Sequence, residues 1–102
     1  MLIVSVYLHI MARKLKKLSI TETKKLAPTW SIKRNQLYKK FIFSNFSDAM
    51  AFMVQIGIEA EKLDHHPTIN NTYNRVEIYL STHDVGAITK LDIKLADNID
   101  NL

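Results

Sequence analysis

The sequence predicts an α+β fold: a two-layer sandwich in which one four-stranded antiparallel sheet carries helices on one face, in the order α-β-β-α-β-β-α. Three observations predict it. Two stretches, 31–43 and 68–82, read as strand pairs joined by short polar turns. Between them the apolar residues fall at helical spacing from about Ser47 to Leu63. Shorter helical patterns with cap signals stand before the first pair and after the second. Hairpins and helices that are segregated along the chain, rather than alternating strand by strand, favour an antiparallel sheet with helices on one side.

The chain has 102 residues, the size of one domain. Hydrophobic residues are 47% and charged residues 24%, ordinary for a globular protein. Two glycines and two prolines argue against disorder and repeats. With no cysteine there is no disulfide framework, thiol catalysis or thiolate metal site, which fits a reducing compartment. A cytoplasmic location is the expectation. The net charge of +4 is uneven: residues 1–40 hold ten Lys/Arg against one acid, Glu22, and the rest hold four against nine. Such asymmetry marks either a nucleic-acid contact or a solvated basic terminus. No nucleic-acid motif is present, so nucleic acid is not an expected partner.

Residues 1–18 read as an N-terminal extension, apolar and then basic, ahead of a domain over 19–102. The apolar run from Leu2 to Ile10 is too short to span a bilayer as a helix. The basic cluster follows it, the reverse of a secretory signal. Met11 opens a more conventional start. Residues 1–10 are therefore either dispensable or an added edge strand.

Ser19 or Thr21 caps a short helix over Glu22 to Ala27, and Pro28 ends it. Trp30 follows in a loop, as a lid over the core or an aromatic wall for a flat ligand. Ser31 to Arg34 and Leu37 to Phe43 form a hairpin with Asn35-Gln36 at the turn. Ser47 is the expected cap of the central helix, with Asp48 at its positive end. Ala49, Met50, Phe52, Met53, Ile56, Ala60 and Leu63 make its core stripe. Val54, Gly57 and Ile58 widen that stripe, so the helix is buried on a second side, by another subunit or by the other helices. His65-His66-Pro67 breaks the helix. Strands follow over Thr68 to Thr72 and Asn74 to Thr82, with Val76, Ile78 and Leu80 on one face and Arg75, Glu77 and Tyr79 on the other. Thr89 and Asp92 form a capping box for a last helix buried along Leu91, Leu95, Ala96 and Ile99.

Three of the four histidines, His65, His66 and His83, stand at the ends of these elements, where side chains can converge on a pocket. Imidazole both gives and takes protons near neutrality. A three-histidine zinc site is the first rival, but the helical i, i+4 pair is absent, and no metal is expected. A Ser81–His83–Asp84 triad fails because neighbours on an extended segment point to opposite sides. The bland alternative has the histidines merely capping elements.

The residues resemble a known family. Glu61-x-x-x-His65-His66-Pro67, then Tyr73, His83 and Asp92 at intervals of five, nine and eight residues, look like the signature of the pterin-4a-carbinolamine dehydratases. The resemblance runs from about Leu26 to Asp100 and includes Trp30 and Ser81-Thr82-His83-Asp84. It implies the α+β fold already read from the pattern. It implies a lyase that removes water from 4a-hydroxytetrahydropterin, giving quinonoid dihydropterin for tetrahydrobiopterin recycling, without a cofactor. It implies catalytic His65 and His83, with His66 holding and polarising the substrate. It places the ligand against Asp64, His65, His66, Ser81, Thr82, His83, Asp84 and Trp30, with Glu61 and Asp92 in support. A homodimer or homotetramer through helix 47–63 is implied, and so is a second role, as a dimerisation cofactor for a transcription factor. Thr68, Ile69 and Thr29 depart from the family's usual residues, and none of these changes removes an acid or a base.

Overall fold

The computed structural model describes residues 15–102; the expectations for residues 1–14 lie outside them. Seven elements follow in the order read from the sequence: α1 (Ile20–Leu26), β1 (Ser31–Lys33), β2 (Gln36–Ile42), α2 (Phe46–Leu63), β3 (Thr68–Thr72), β4 (Arg75–Leu80) and α3 (Lys90–Asp100). The strands form one antiparallel sheet in the order β1-β2-β4-β3. Leu37, Val76, Ile78 and Leu80 are fully buried on one face of that sheet. They pack under Ala49, Phe52, Ile56 and Ala60 of α2 and Leu95, Ala96 and Ile99 of α3. Each fully buried Leu or Ile contributes about 1.5–3 kcal/mol of transfer free energy. The alternation expected for β4 is therefore present, and the sheet is covered on one side.

The opposite face carries Tyr38, Lys40, Arg75, Glu77 and Tyr79, cross-strand neighbours by register. Tyr38 and Tyr79 stack with centroids 4.9 Å apart. The Tyr38 hydroxyl donates to Glu77 at 2.6 Å, and that bond pushes the phenol up to about 12.

Several boundaries move by one or two residues, each for a local reason. Ser19, not Thr21, caps α1, in a complete capping box with Glu22. The first hairpin turns on Arg34 and Asn35, both left-handed (φ 52° and 60°), the geometry of a two-residue type I′ loop. That register pairs Ile32 with Leu37 and puts both on the core side. A turn at Asn35-Gln36 would instead set Arg34 against Leu37. Asn45, not Ser47, caps α2: its side chain accepts from the Asp48 N–H at 2.8 Å. Strand β4 stops at Leu80, because Thr82 leaves the sheet to bridge Ala87. Leu18, read as extension, is buried in the core, and its N–H donates to the Ile88 carbonyl. Leu18 thus packs with the residues of 19–102.

The side of α2 away from the sheet stays open. Phe46, Met50, Val54 and Ile58 are 43–60% exposed and recur every fourth residue, so they form one ridge. Among the described residues, the other helices do not cover it.

Candidate active site

The site is assembled at one end of the sheet, where α2 stops, β4 ends and α3 begins. Helix α2 terminates at Asp64, whose backbone is left-handed (φ 47°) and whose N–H closes onto the carbonyls of Ala60 and Glu61. A left-handed residue in this position usually is glycine or asparagine. The reversal turns the next residue inward: His65 is 9% exposed, while His66 faces solvent. The two rings diverge, as adjacent residues at a helix exit should.

Each imidazole is held by a carboxylate. His65 Nε2 lies 2.5 Å from Asp92 Oδ1, with Asp92 wholly buried. His66 Nε2 lies 2.5 Å from Glu61 Oε1, one helical turn back along α2, and both are exposed. Asp92 does cap α3, as the sequence indicates. Periodicity alone would leave it in solvent and bury Leu91. The structure reverses these: Asp92 is 0% exposed and Leu91 is half-buried, because the carboxylate is aimed at His65 beneath the sheet's end.

Asp92 has further partners. Its Oδ2 accepts from the Thr82 hydroxyl at 2.8 Å and from the Thr89 N–H at 2.9 Å. The hydroxyls of Thr82 and Thr89 are 2.6 Å apart. The network is closed, and among the described residues no buried side-chain polar atom lacks a partner. Thr82, expected against the ligand, spends its hydroxyl on Asp92. Its backbone N–H goes to Ala87 and its carbonyl to Val85 and Gly86. Its hydroxyl, N–H and carbonyl thus all meet partners within the chain.

The neighbours of Thr82 bring the rest of the 81–84 segment to the same end. His83 and Asp84 are exposed. The Ser81 hydroxyl approaches Gln36 at 3.4 Å. His83 is the residue after Thr82 in the chain, and its carbonyl accepts from the Gly86 N–H at 3.1 Å. Trp30 is not joined to this network. It is 5% exposed, and its indole N–H donates to Asp100 Oδ2 at 2.9 Å. Asp100 is eight residues beyond Asp92, about 12 Å along the helix axis. The ring packs edge-on against Phe41, so here Trp30 acts as the core lid. Tyr73 stands at the far end of the sheet, left-handed (φ 49°) in the β3–β4 turn and 62% exposed.

Two residues escaped the sequence reading. Thr89 was legible as a cap but not as a member of the histidine network. Asp100 accepts from Thr29, Trp30 and Lys39, and nothing in the sequence links positions 70 apart. Among the described residues no three His, Cys, Asp or Glu side chains are grouped to hold a metal ion. None of the described helices is long and apolar enough to cross a membrane.

An imidazole backed by a buried carboxylate is an arrangement that can give or take a proton. The comparisons make this specific. The family model for pterin 4 alpha carbinolamine dehydratase matches residues 13–102, and the chain belongs to that family. Among curated relatives, a Prochlorococcus marinus protein named as a pterin-4-alpha-carbinolamine dehydratase is 51% identical over 79% of this chain and 84% of its own. One from Mesorhizobium japonicum with the same name is 41% identical over 86% and 92%. Among solved structures, the transcriptional coactivator/pterin dehydratase of Brucella melitensis superposes with a TM-score of 0.79 at 36% identity, over 84% of this chain and 97% of that one. A pterin dehydratase-like protein described as a RuBisCO assembly factor in the alpha-carboxysome gives 0.58 at 25% identity, over 71% and 83%.

Proposed function

We propose that this protein removes water from a 4a-hydroxytetrahydropterin, yielding the quinonoid dihydropterin, and so serves tetrahydrobiopterin recycling. The observation that carries the reading is the His65–Asp92 pair: a nearly buried imidazole, anchored through one ring nitrogen where α2 ends and α3 begins. In the reaction the carbon–oxygen bond to the 4a hydroxyl breaks and the oxygen takes a proton to leave as water. The adjacent ring nitrogen gives up its proton as its lone pair forms the new double bond. One acid and one base on opposite sides of the ring suffice. His65, from the end of α2, and His83, from beyond β4, take these two roles. His66, tied to Glu61 and exposed, holds and polarises the ligand. Asp64, Ser81 and Asp84 line the same end, and Trp30 contributes through packing. The chemistry calls for no cofactor. The test is turnover of 4a-hydroxytetrahydropterin generated in situ; rates no faster than the uncatalysed dehydration would defeat the reading.

The exposed ridge of α2 supports a homo-oligomer, a dimer or tetramer, built through this helix. A shallow groove lined by Val54, Gly57, Ile58, Glu61, Lys62 and His66 continues the ridge into the site. A second copy seated there would lie beside His66. The same ridge supports an alternative, an interaction protein that acts as dimerisation cofactor for a transcription factor. The Brucella neighbour is described as a coactivator as well as a dehydratase. A pull-down from the source cell with the ridge intact and with Val54→Asp separates the two. We place the protein in the cytoplasm.

A further inference from the structure

We propose that Asp92 is a positioning residue that holds His65 as the Nε2–H tautomer, with Thr82 and Thr89 dictating which of its oxygens faces the ring, so that Nδ1 is the atom that exchanges a proton with the ligand. The second half rests on the dehydratase reading; the first does not.

The donors around Asp92 decide the tautomer. A carboxylate only accepts. Asp92 Oδ2 is occupied by the Thr82 hydroxyl and the Thr89 N–H. The Thr82 proton is thereby spent, so Thr89 donates the bond between the two hydroxyls, while its own oxygen accepts the Leu91 N–H at 3.2 Å. Every hydroxyl has one direction. Only Oδ1 is left for His65, and it lies against Nε2. The third residue of α3 sits where the helix end favours negative charge, so Asp92 accepts and Nε2 must donate. A neutral ring has one proton. With Nε2 protonated, Nδ1 keeps its lone pair.

The same network predicts an inversion. In Asp92→Asn, the Thr82 hydroxyl and the Thr89 N–H both require an acceptor at the Oδ2 position. They fix the amide carbonyl there and turn the NH2 group toward His65. Nε2 must then accept, and the ring proton moves to Nδ1. An imidazole presenting N–H where it presented a lone pair can no longer act as a neutral base. A role confined to capping α3 would leave the tautomer untouched, because asparagine can still accept the Thr89 N–H.

The experiment is two-dimensional NMR of protein carrying 15N-labelled histidine, without ligand, with His65 assigned by its loss in His65→Gln. The expected result is an Nε2–H ring in the wild type and in Thr82→Ser, and an Nδ1–H ring in Asp92→Asn. In Thr82→Val/Asp92→Asn, where one of the two orienting donors is gone, both tautomers should be populated. An Nδ1–H ring in the wild type overturns the proposal even if no variant folds, and so does an Nε2–H ring in a folded Asp92→Asn. Turnover is measured separately. The expected loss in Asp92→Asn is about a hundred- to ten-thousand-fold, in kcat rather than KM. A wild type with the expected tautomer and no dehydratase activity would refute the reaction while upholding the positioning; the reverse pattern would do the opposite.

Discussion

Replacing Asp100 by alanine should weaken the whole domain, and the structure allows the loss to be worked out. Asp100 lies at the end of α3 and accepts from the Trp30 indole N–H (2.9 Å), the Thr29 hydroxyl (2.8 Å) and Lys39 Nζ (2.8 Å). Thr29 is exposed and can turn to water, so its bond counts for little. Lys39 and Asp100 are each 25% exposed, and such a pair is worth about 0.2–1 kcal/mol. Trp30 is different: at 5% exposure its N–H would be left without an acceptor, which costs about 1–3 kcal/mol. The expected total is about 1–4 kcal/mol, or about 5–30 °C in Tm at the usual scaling for a domain of this size. Trp30 is the only tryptophan, so urea unfolding followed by its fluorescence reads the change at its source. Asp100→Asn should recover part of the loss, since its carbonyl can still accept from the indole. The sign with pH follows from the shift. Burial pushes the Asp100 carboxyl up, but the bonds from Lys39, Thr29 and Trp30 outweigh it and hold the group below the ordinary carboxylate value. Its stabilisation is therefore complete at neutral pH. It declines as pH falls through the ordinary carboxylate range and is gone below the folded-state value. A stability loss under about 0.5 kcal/mol, within the range of ordinary surface changes, or a difference between wild type and Asp100→Ala that persists undiminished at the acid end, would refute the reasoning.

Other outcomes are expected. His65→Ala and His83→Ala should each lose much of the dehydration rate, the double variant should approach the uncatalysed reaction, and His66→Ala should raise KM more than it lowers kcat; steady-state kinetics on the four proteins, with and without chelator, checks this, and chelator should change nothing. Light scattering at tens of micromolar, roughly where weak interfaces come apart, should show an oligomer in the wild type and a smaller species in Val54→Asp/Ile58→Asp; a wild-type monomer would end the case for the α2 interface. The chain begun at Met11 should match the full chain in Tm and turnover, and a large loss would make residues 1–10 structural. Arg34→Gly should stabilise the protein by up to about 1 kcal/mol in thermal unfolding, because glycine takes the left-handed backbone of that turn without strain.

The sequence by itself determined the order of elements, the antiparallel hairpins, the faces of β4 and the histidine ends. These are read from local signals: period-two and helical spacing, a proline, and cap residues that act within a few positions. It also carried the family motif, and so the candidate chemistry. What only the tertiary structure decided is which partner each polar side chain meets. Asp92 looks like an exposed helix cap until the end of α2 brings His65 against it, 27 residues away in the chain. Nothing local in the sequence pairs the Thr82 hydroxyl with Thr89 and Asp92. Trp30 reads as a lid or a wall, and nothing local shows that Asp100 takes its N–H from 70 positions away. Hydrogen bonds are short and directional, so their pairing follows from placements within an ångström that no local pattern encodes. The hydrophobic pattern, by contrast, is tolerant of such detail, and it is legible in the sequence for that reason.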